Sequence, residues 1–248
     1  MHVVVCLKAV WRDPSSVEVE DGAITSRGAS LRFNQADVPV LLRAIELKRT
    51  GGASVTAVTA GPRAAREILY TATALGADRT LIVEASPHDA AGTASFLAAA
   101  IADLSPDLVL TGSEAYDTLE GVVGGVLASR MGLPYCFGVV DLDVQGSPGR
   151  VRVTKEIGGG SRQIVDVILP AVLSMQLEPA QAPYVPIAKS IMAKRRAISS
   201  MQPSRSDTGR AAWRPLSVRP NAPNVERRTI EGSPSDIAER ILSLVKAS

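Results

Sequence analysis

Two periodicities alternate along the chain, and each change marks a boundary between elements. His2 to Val10 is a valine-rich apolar run without polar alternation, which predicts a strand buried on both faces, and Val17 to Ile24 carries E-V-E-D-G-A, a hairpin turn. At Asn34 the period becomes 3.6. Val38, Leu41, Leu42, Ile45 and Leu47 form a stripe behind Asn34 or Asp37 as cap, and Gly51-Gly52 ends that helix. A strand from Ser54 to Ala60 then meets Gly61-Pro62, where proline suits the first turn of a helix from Arg63 to Leu75 that Gly76 stops. Thr80 to Glu84 reads as strand, Ala90 to Leu104 as helix and Asp107 to Thr111 as strand. Strand and helix in alternation with short connections imply a parallel sheet covered on both faces. The runs Val139 to Val144, Arg150 to Lys155, Gln163 to Ile168 and Ala171 to Met175 have no helical stretch between them and predict an antiparallel addition.

The segment Tyr184 to Ile198, Y-V-P-I-A-K-S-I-M-A-K-R-R-A-I, departs from both patterns. Pro183 and Pro186 predict a loop rather than a regular helix, and the loop sets Ile187, Ile191 and Met192 beside Lys189, Lys194, Arg195 and Arg196. Apolar anchors rimmed by cations suit a protein interface; the alternative is a surface loop whose Ile and Met turn back into their own domain. After Ser199, Pro, Ser and Arg cannot build a core, and Ile230, Ile237, Ile241, Leu242 and Leu244 predict one amphipathic helix. The expected organisation is an α/β domain over 1–183, a recognition loop over 184–198 and a C-terminal arm over 199–248.

Composition narrows the function. The 248 residues are 46% hydrophobic with few aromatics, which fits an Ala/Val/Leu-rich α/β core. A net charge of +2 conceals an asymmetry: Lys189 to Ile230 holds ten Lys/Arg against Asp207 and Glu226, leaving the rest at −6. The basic arm has Trp213 as its single aromatic and so lacks a nucleic-acid stacking platform. Cys6 and Cys136 read as reduced thiols of a cytoplasmic protein, and with His2 terminal and His88 in a polar turn no metal set forms. No apolar stretch reaches membrane-spanning length. No Ser-His-Asp, Cys-His or paired-carboxylate arrangement is evident, so no catalytic residue is expected.

Ligands of open parallel sheets sit beyond the carboxyl ends of the strands, and the richest such loop is G-S-E-A-Y-D-T-L-E-G-V-V-G-G from Gly112. Gly121, Gly124 and Gly125 at a helix start either admit an anion to unpaired N–H groups or let the helix pack close to the sheet.

Five motifs stand in order: V-C-L-K-A-V from Val5, F-N-Q-A-D from Phe33, A-L-G-A-D-R from Ala74, P-D-L-V-L-T-G from Pro106, and V-T-K-E-I-G-G-G with L-P-A-V at Leu169. In this order they resemble the β subunit of electron transfer flavoprotein, FixA type. I-M-A-K-R-R-A-I resembles the end of that family's recognition loop, and E-G-S-P-S-D-I-A-E-R-I-L its final helix. The resemblance implies a doubly wound, mostly parallel α/β sheet of the adenine-nucleotide α-hydrolase type with an antiparallel addition and an extended C-terminal arm. It implies a heterodimer with an α subunit that holds most of an FAD, accepting electrons from dehydrogenases such as acyl-CoA dehydrogenases and passing them to a quinone oxidoreductase or another acceptor. By the same resemblance, Cys6, Lys8, Asn34, Ala65, Ala115, Gly121, Val122 and Val123 form a nucleotide pocket. Ile187, Ser190, Ile191, Lys194, Arg195 and Arg196 face the partner, with Ile187 as the aliphatic anchor.

Departures from the family pattern bear on that pocket. Gly121, Val122 and Val123 stand where many members place the Asn-Gln-Thr that contacts a structural AMP, and Glu120 stands at the helix entrance, where a carboxylate repels a phosphate. The expectation is poor AMP binding. The Asp-Thr-Ala-Gln pattern of bifurcating members is absent too, although Asp117-Thr118 echoes it early, and Ala36 replaces an aromatic near the flavin. Two other classes share the general fold. A universal-stress-like nucleotide sensor would keep its phosphate loop and lack the arm; an ATP-dependent substrate-activating enzyme would need a Ser-Gly-Gly loop where this chain has Cys6-Leu7-Lys8-Ala9.

Overall fold

The computed structural model describes residues 1–12, 18–20, 23–25, 30–85, 89–144, 148–203 and 229–246. The hairpin turn at Asp21-Gly22, His88 and the basic stretch around Trp213 lie outside them. Chain order begins β1 (His2–Cys6), β2 (Ala9–Trp11), β3 (Glu18–Glu20), β4 (Ala23–Thr25), β5 (Leu31–Phe33), α1 (Asp37–Gly51), β6 (Ser54–Gly61), a 3-10 turn (Arg63–Ala65), α2 (Arg66–Leu75) and β7 (Arg79–Glu84). It continues α3 (Ala90–Ala102), β8 (Leu108–Gly112), α4 (Val123–Met131), β9 (Tyr135–Asp143), β10 (Arg150–Glu156), β11 (Arg162–Ile168), β12 (Ala171–Met175), α5 (Ile187–Arg195), β13 (Ser199–Met201) and α6 (Pro234–Lys246).

Nine strands form one sheet in the order β11-β10-β9-β12-β8-β1-β6-β7-β13, and every neighbouring pair from β9 to β13 is parallel. The valine run at the amino terminus is apolar throughout because both its faces are covered. Val3 and Val5 pack with Leu41 of α1 and Leu69 of α2, while Val4 and Cys6 pack with Leu97 of α3 and Leu127 of α4. β8 divides the same way, with Leu108 and Leu110 on one side and Val109 on the other. This is a doubly wound α/β sheet.

Several boundaries differ from the sequence expectation. The run His2 to Val10 is two strands, because the chain leaves the sheet at Leu7 and β2 pairs antiparallel with β5. The antiparallel addition is the meander β9-β10-β11, whereas β12 returns to the parallel centre between β8 and β9. Only the strand pattern, not its pairing partners, is written in the apolar runs. Segment 184–198 is not a loop throughout: Pro186 stands at the amino-terminal edge of α5 with ψ 141°, where its missing N–H removes no helical bond. Ser199–Met201 joins β7 as the edge strand, so the sheet extends two residues past the expected start of the arm. α6 has no buried residue.

The glycines of α4 are a packing feature. A Cβ on Gly124 would overlap Ser174 Oγ and Thr111 Oγ1, which bond each other at 2.7 Å, and Tyr135 donates to Ser174 Oγ at 3.0 Å. Gly124→Ala is therefore expected to break this buried hydroxyl chain and destabilise the protein by roughly 1–3 kcal/mol. Urea unfolding of the two proteins measures it, and an unchanged midpoint contradicts the packing account.

Candidate functional site

The order of strands reverses around β1, which lies between β6, reached through α1, and β8, reached from β7 through α3. Such a reversal opens a crevice at the carboxyl edge. A cavity of about 440 Å³ lies there, with walls from Cys6 to Ala9, Ala60 to Pro62 and Thr111 to Ala115.

Asp37 fixes the floor of this cavity. It opens α1 without capping it: its carboxylate accepts from the Lys8 N–H at 2.7 Å and from Asn34 Nδ2 at 3.2 Å. Asn34 also donates to the Glu114 carbonyl at 2.8 Å and accepts from the Tyr116 N–H at 3.1 Å, so it holds the loop after β8 against the start of α1. Burial pushes the Asp37 carboxyl up to about 7, against the Lys8 and Gly112 N–H groups, the Asn34 amide and the Lys8 charge, all of which favour the ionised form. Burial, with Asp37 adding to it, pushes the Cys6 thiol up to about 12, so this cysteine is no nucleophile near neutral pH.

Six of the eight residues expected at a nucleotide pocket line the cavity: Cys6, Lys8, Asn34, Ala115, Gly121 and Val123. Ala65 and Val122 do not. Ala65, the last residue of the 3-10 turn, is wholly buried in the core, and Val122 is 54% exposed. The sequence offers Asn34 or Asp37 as a helix cap and does not single out Asp89 or Glu114, which also line the site. The available signal was an Asp before a helix at the carboxyl edge of a strand; Asp89 in that position accepts from the Gly92 N–H at 2.7 Å.

The cavity does not fit a nucleotide phosphate. Asp37, Asp89, Glu114, Asp117 and Glu120 line it, and Lys8, the one cation among the described lining residues, lies 2.6 Å from Asp117. Gly121 to Val123 bring no polar side chain, and Gly121 is itself confined, since a Cβ there would approach the Ser113 carbonyl to 2.5 Å.

A second feature lies on α5, which carries five of the six expected partner residues, with Arg196 at its C-cap. Ala193 is its buried residue and packs toward the body; Lys194 reaches Glu67 of α2 at 3.1 Å and lies 5.9 Å from the Tyr70 ring. Ile187, Ile191 and Met192 are 72%, 51% and 69% exposed, so they do not turn back into the core. Lys194 and Arg195 occupy the last turn, where the helix dipole favours cations.

A sequence profile of the electron transfer flavoprotein domain matches residues 21–204. Electron transfer flavoprotein subunit beta of Syntrophomonas wolfei is 34% identical over 198 residues, covering 79% of this chain and 77% of the relative. The chain belongs to the electron transfer flavoprotein β-subunit family, FixA type. Protein FixA of Rhizobium meliloti is 31% identical over 188 residues, 71% of this chain and 63% of its own length, and the β subunit of Bacillus subtilis is 23% identical over 260 residues, spanning 100% and 98%. Membership makes this chain part of an electron-transport flavoprotein and displaces the nucleotide-sensor and substrate-activating alternatives. Among the described residues no helix is long and apolar enough to cross a membrane, and no group of His, Cys, Asp and Glu side chains is placed to hold a metal ion.

Asp37 gives the site a measurable pH dependence. Its folded pKa of about 7 lies above the ordinary 3.8, so the stability it contributes is complete below pH 4 and is lost as the pH rises through 7. The loss approaches ~1.4 kcal/mol per pH unit within that window. Urea midpoints of the parent and Asp37→Asn between pH 4 and 8 isolate the contribution, and the downward slope is expected in the parent alone. Parallel slopes would mean that the three N–H donors keep Asp37 ionised throughout.

Proposed function

We propose that this chain is the β subunit of a heterodimeric electron carrier. With an α subunit it encloses one FAD, accepts electrons from flavin dehydrogenases such as acyl-CoA dehydrogenases, and passes them toward a quinone oxidoreductase or another acceptor. The observation that carries the reading is the exposed apolar and basic face of α5 on a chain of this family. FAD, when bound, supplies the redox chemistry. The residues of this chain position and dock. No acid, base or nucleophile is assigned to it.

The cofactor is held mainly by the α subunit. Beyond β1 the chain runs Cys6-Leu7-Lys8-Ala9, without a glycine-rich dinucleotide turn, and the carboxylate-lined cavity supports a heterodimer that carries no AMP. The arm supports the pairing from the other end. α6 exposes Ile241, Leu242 and Val245 and has no buried residue among those described, which supports its docking on another chain. Coexpression with the α subunit is expected to give a yellow complex with one FAD and no AMP per heterodimer, while the chain alone is colourless. Truncation after Pro203 is expected to leave a folded body that no longer copurifies. Two flavins, stoichiometric AMP or a truncated chain that still copurifies would each contradict the corresponding part.

Docking is expected to centre on Ile187. Burying such a side chain is worth roughly 1.5–3 kcal/mol, about one to two decades in affinity. Ile187→Ala should weaken binding to the donor dehydrogenase and slow electron transfer, leaving FAD content and the visible spectrum unchanged. Neutralising Lys194, Arg195 and Arg196 should act on the encounter rate, most at low salt. Stopped-flow kinetics at two ionic strengths separates the effects, and a less stable heterodimer with unaltered donor kinetics would place Ile187 in a structural role.

A further inference from the structure

A second cavity, of about 420 Å³, lies between the β2-β5 ribbon, α2 and residues 180–182, with Leu31 as a wall in common with the first. Its charge has the opposite sign. Arg12 and Arg32 line it, and Glu67, its one carboxylate among the described lining residues, lies 3.1 Å from Lys194. Arg12 Nε donates to Ser30 Oγ at 3.2 Å. Arg32 Nε is buried with no hydrogen-bond partner among the described residues.

A guanidinium N–H sealed from water without an acceptor is costly, and native proteins leave few of them. No acceptor among the described residues reaches it. A guanidinium fork matches two oxygens of a carboxylate or phosphate, and a second arginine in the same cavity adds charge where that anion sits. We propose that this cavity binds a small oxyanion, carboxylate or phosphate, with Arg32 as its bidentate anchor and Arg12 as the second cation. Gln35 and Gln181 add uncharged amides at the wall, and Phe33 and Ile68 an apolar surface. The cavity is larger than a bare phosphate needs, so the anionic group is carried on an organic body that the apolar wall contacts. The assignment does not rest on the electron-transfer reading, because the two arginines lie neither in the first cavity nor on α5.

The test uses the full-length protein with its copurifying subunit, titrated at constant ionic strength with sodium phosphate and, separately, with sodium succinate. Calorimetry reads affinity, and the Arg32 Nε–Hε resonance, assigned by its loss in Arg32→Gln, reports the hydrogen bond. At least one anion is expected to bind saturably and move that resonance downfield, with the stronger response showing whether phosphate or carboxylate is preferred. Arg32→Gln should lose at least about tenfold in affinity while melting no lower than the parent in anion-free buffer, since it removes a buried N–H that lacks an acceptor. Arg12→Gln, whose side chain is exposed, should give a smaller loss and serves as the second reading if Arg32→Gln folds poorly. No saturable binding of either anion, or affinities unchanged in both variants, overturns the proposal.

Discussion

The buried carboxylate of Asp37 is the joint on which the carboxyl edge of the sheet depends. It takes N–H groups from Lys8 beyond β1 and from Gly112 at the end of β8, and the side-chain amide of Asn34, so one side chain ties two adjacent strands to the start of α1. Gly112 has to be glycine for this reason, because a Cβ there would run into Asp37 Oδ1. Asn34 passes the order onward. Its amide fixes Glu114 and Tyr116, and the loop closes on itself through the Ala115 N–H to the Glu120 carbonyl at 2.9 Å. The cavity is therefore shaped by protein groups that satisfy one another.

That self-sufficiency explains the balance of charge in the two cavities. In the first, the polar groups nearest the sheet are already paired, and the lone lining lysine is taken by Asp117. An incoming phosphate would find carboxylates and no free cation, and α4 beyond it begins with residues chosen for close approach to Ser174 and Tyr135. In the second cavity a donor, Arg32 Nε, lacks its partner among the described residues. Desolvation makes unpaired groups expensive in both cases. An unpaired donor is what distinguishes the second cavity from the first.

The strands and helices of the body are legible because burial on both faces leaves an unmistakable imprint: Val3 to Cys6 and Leu108 to Leu110 are apolar without alternation. Pairing was less so. β12 follows a hairpin in sequence yet inserts between β8 and β9, and nothing in the apolar pattern of Ala171–Met175 distinguishes a central parallel strand from the next strand of a meander. The proline before α5 was read as a barrier, although proline at a helix start removes no bond. Six of eight pocket residues come together because family motifs at strand ends map onto one edge of the sheet. Ala65 and Val122 fail on orientation, which a motif does not encode: one faces the core and the other faces solvent. The importance of Asp37 was hidden by a simpler role, since a carboxylate in the first turn of a helix is an ordinary dipole partner until the chain folds β8 against it.

An electron carrier has to release its partner as readily as it finds it, and the proposed docking face on α5 is consistent with that scale. The helix is oriented by Ala193 beneath and by the Lys194 contacts with Glu67 and Tyr70 at one end, while Ile187, Ile191 and Met192 stay in water. An exposed ion pair of this kind contributes at most about 1 kcal/mol, enough to bias a side chain without locking the helix. Three apolar anchors at roughly 1.5–3 kcal/mol each offer about 5–9 kcal/mol in all. Association alone costs an estimated 4–15 kcal/mol. The anchors therefore do little more than offset that cost, and the surplus that holds a complex has to come from the basic rim, which acts through the encounter and fades with salt. On the proposed reading, such a surface would select a partner by shape at Ile187 and by charge around it, and would keep the complex short-lived.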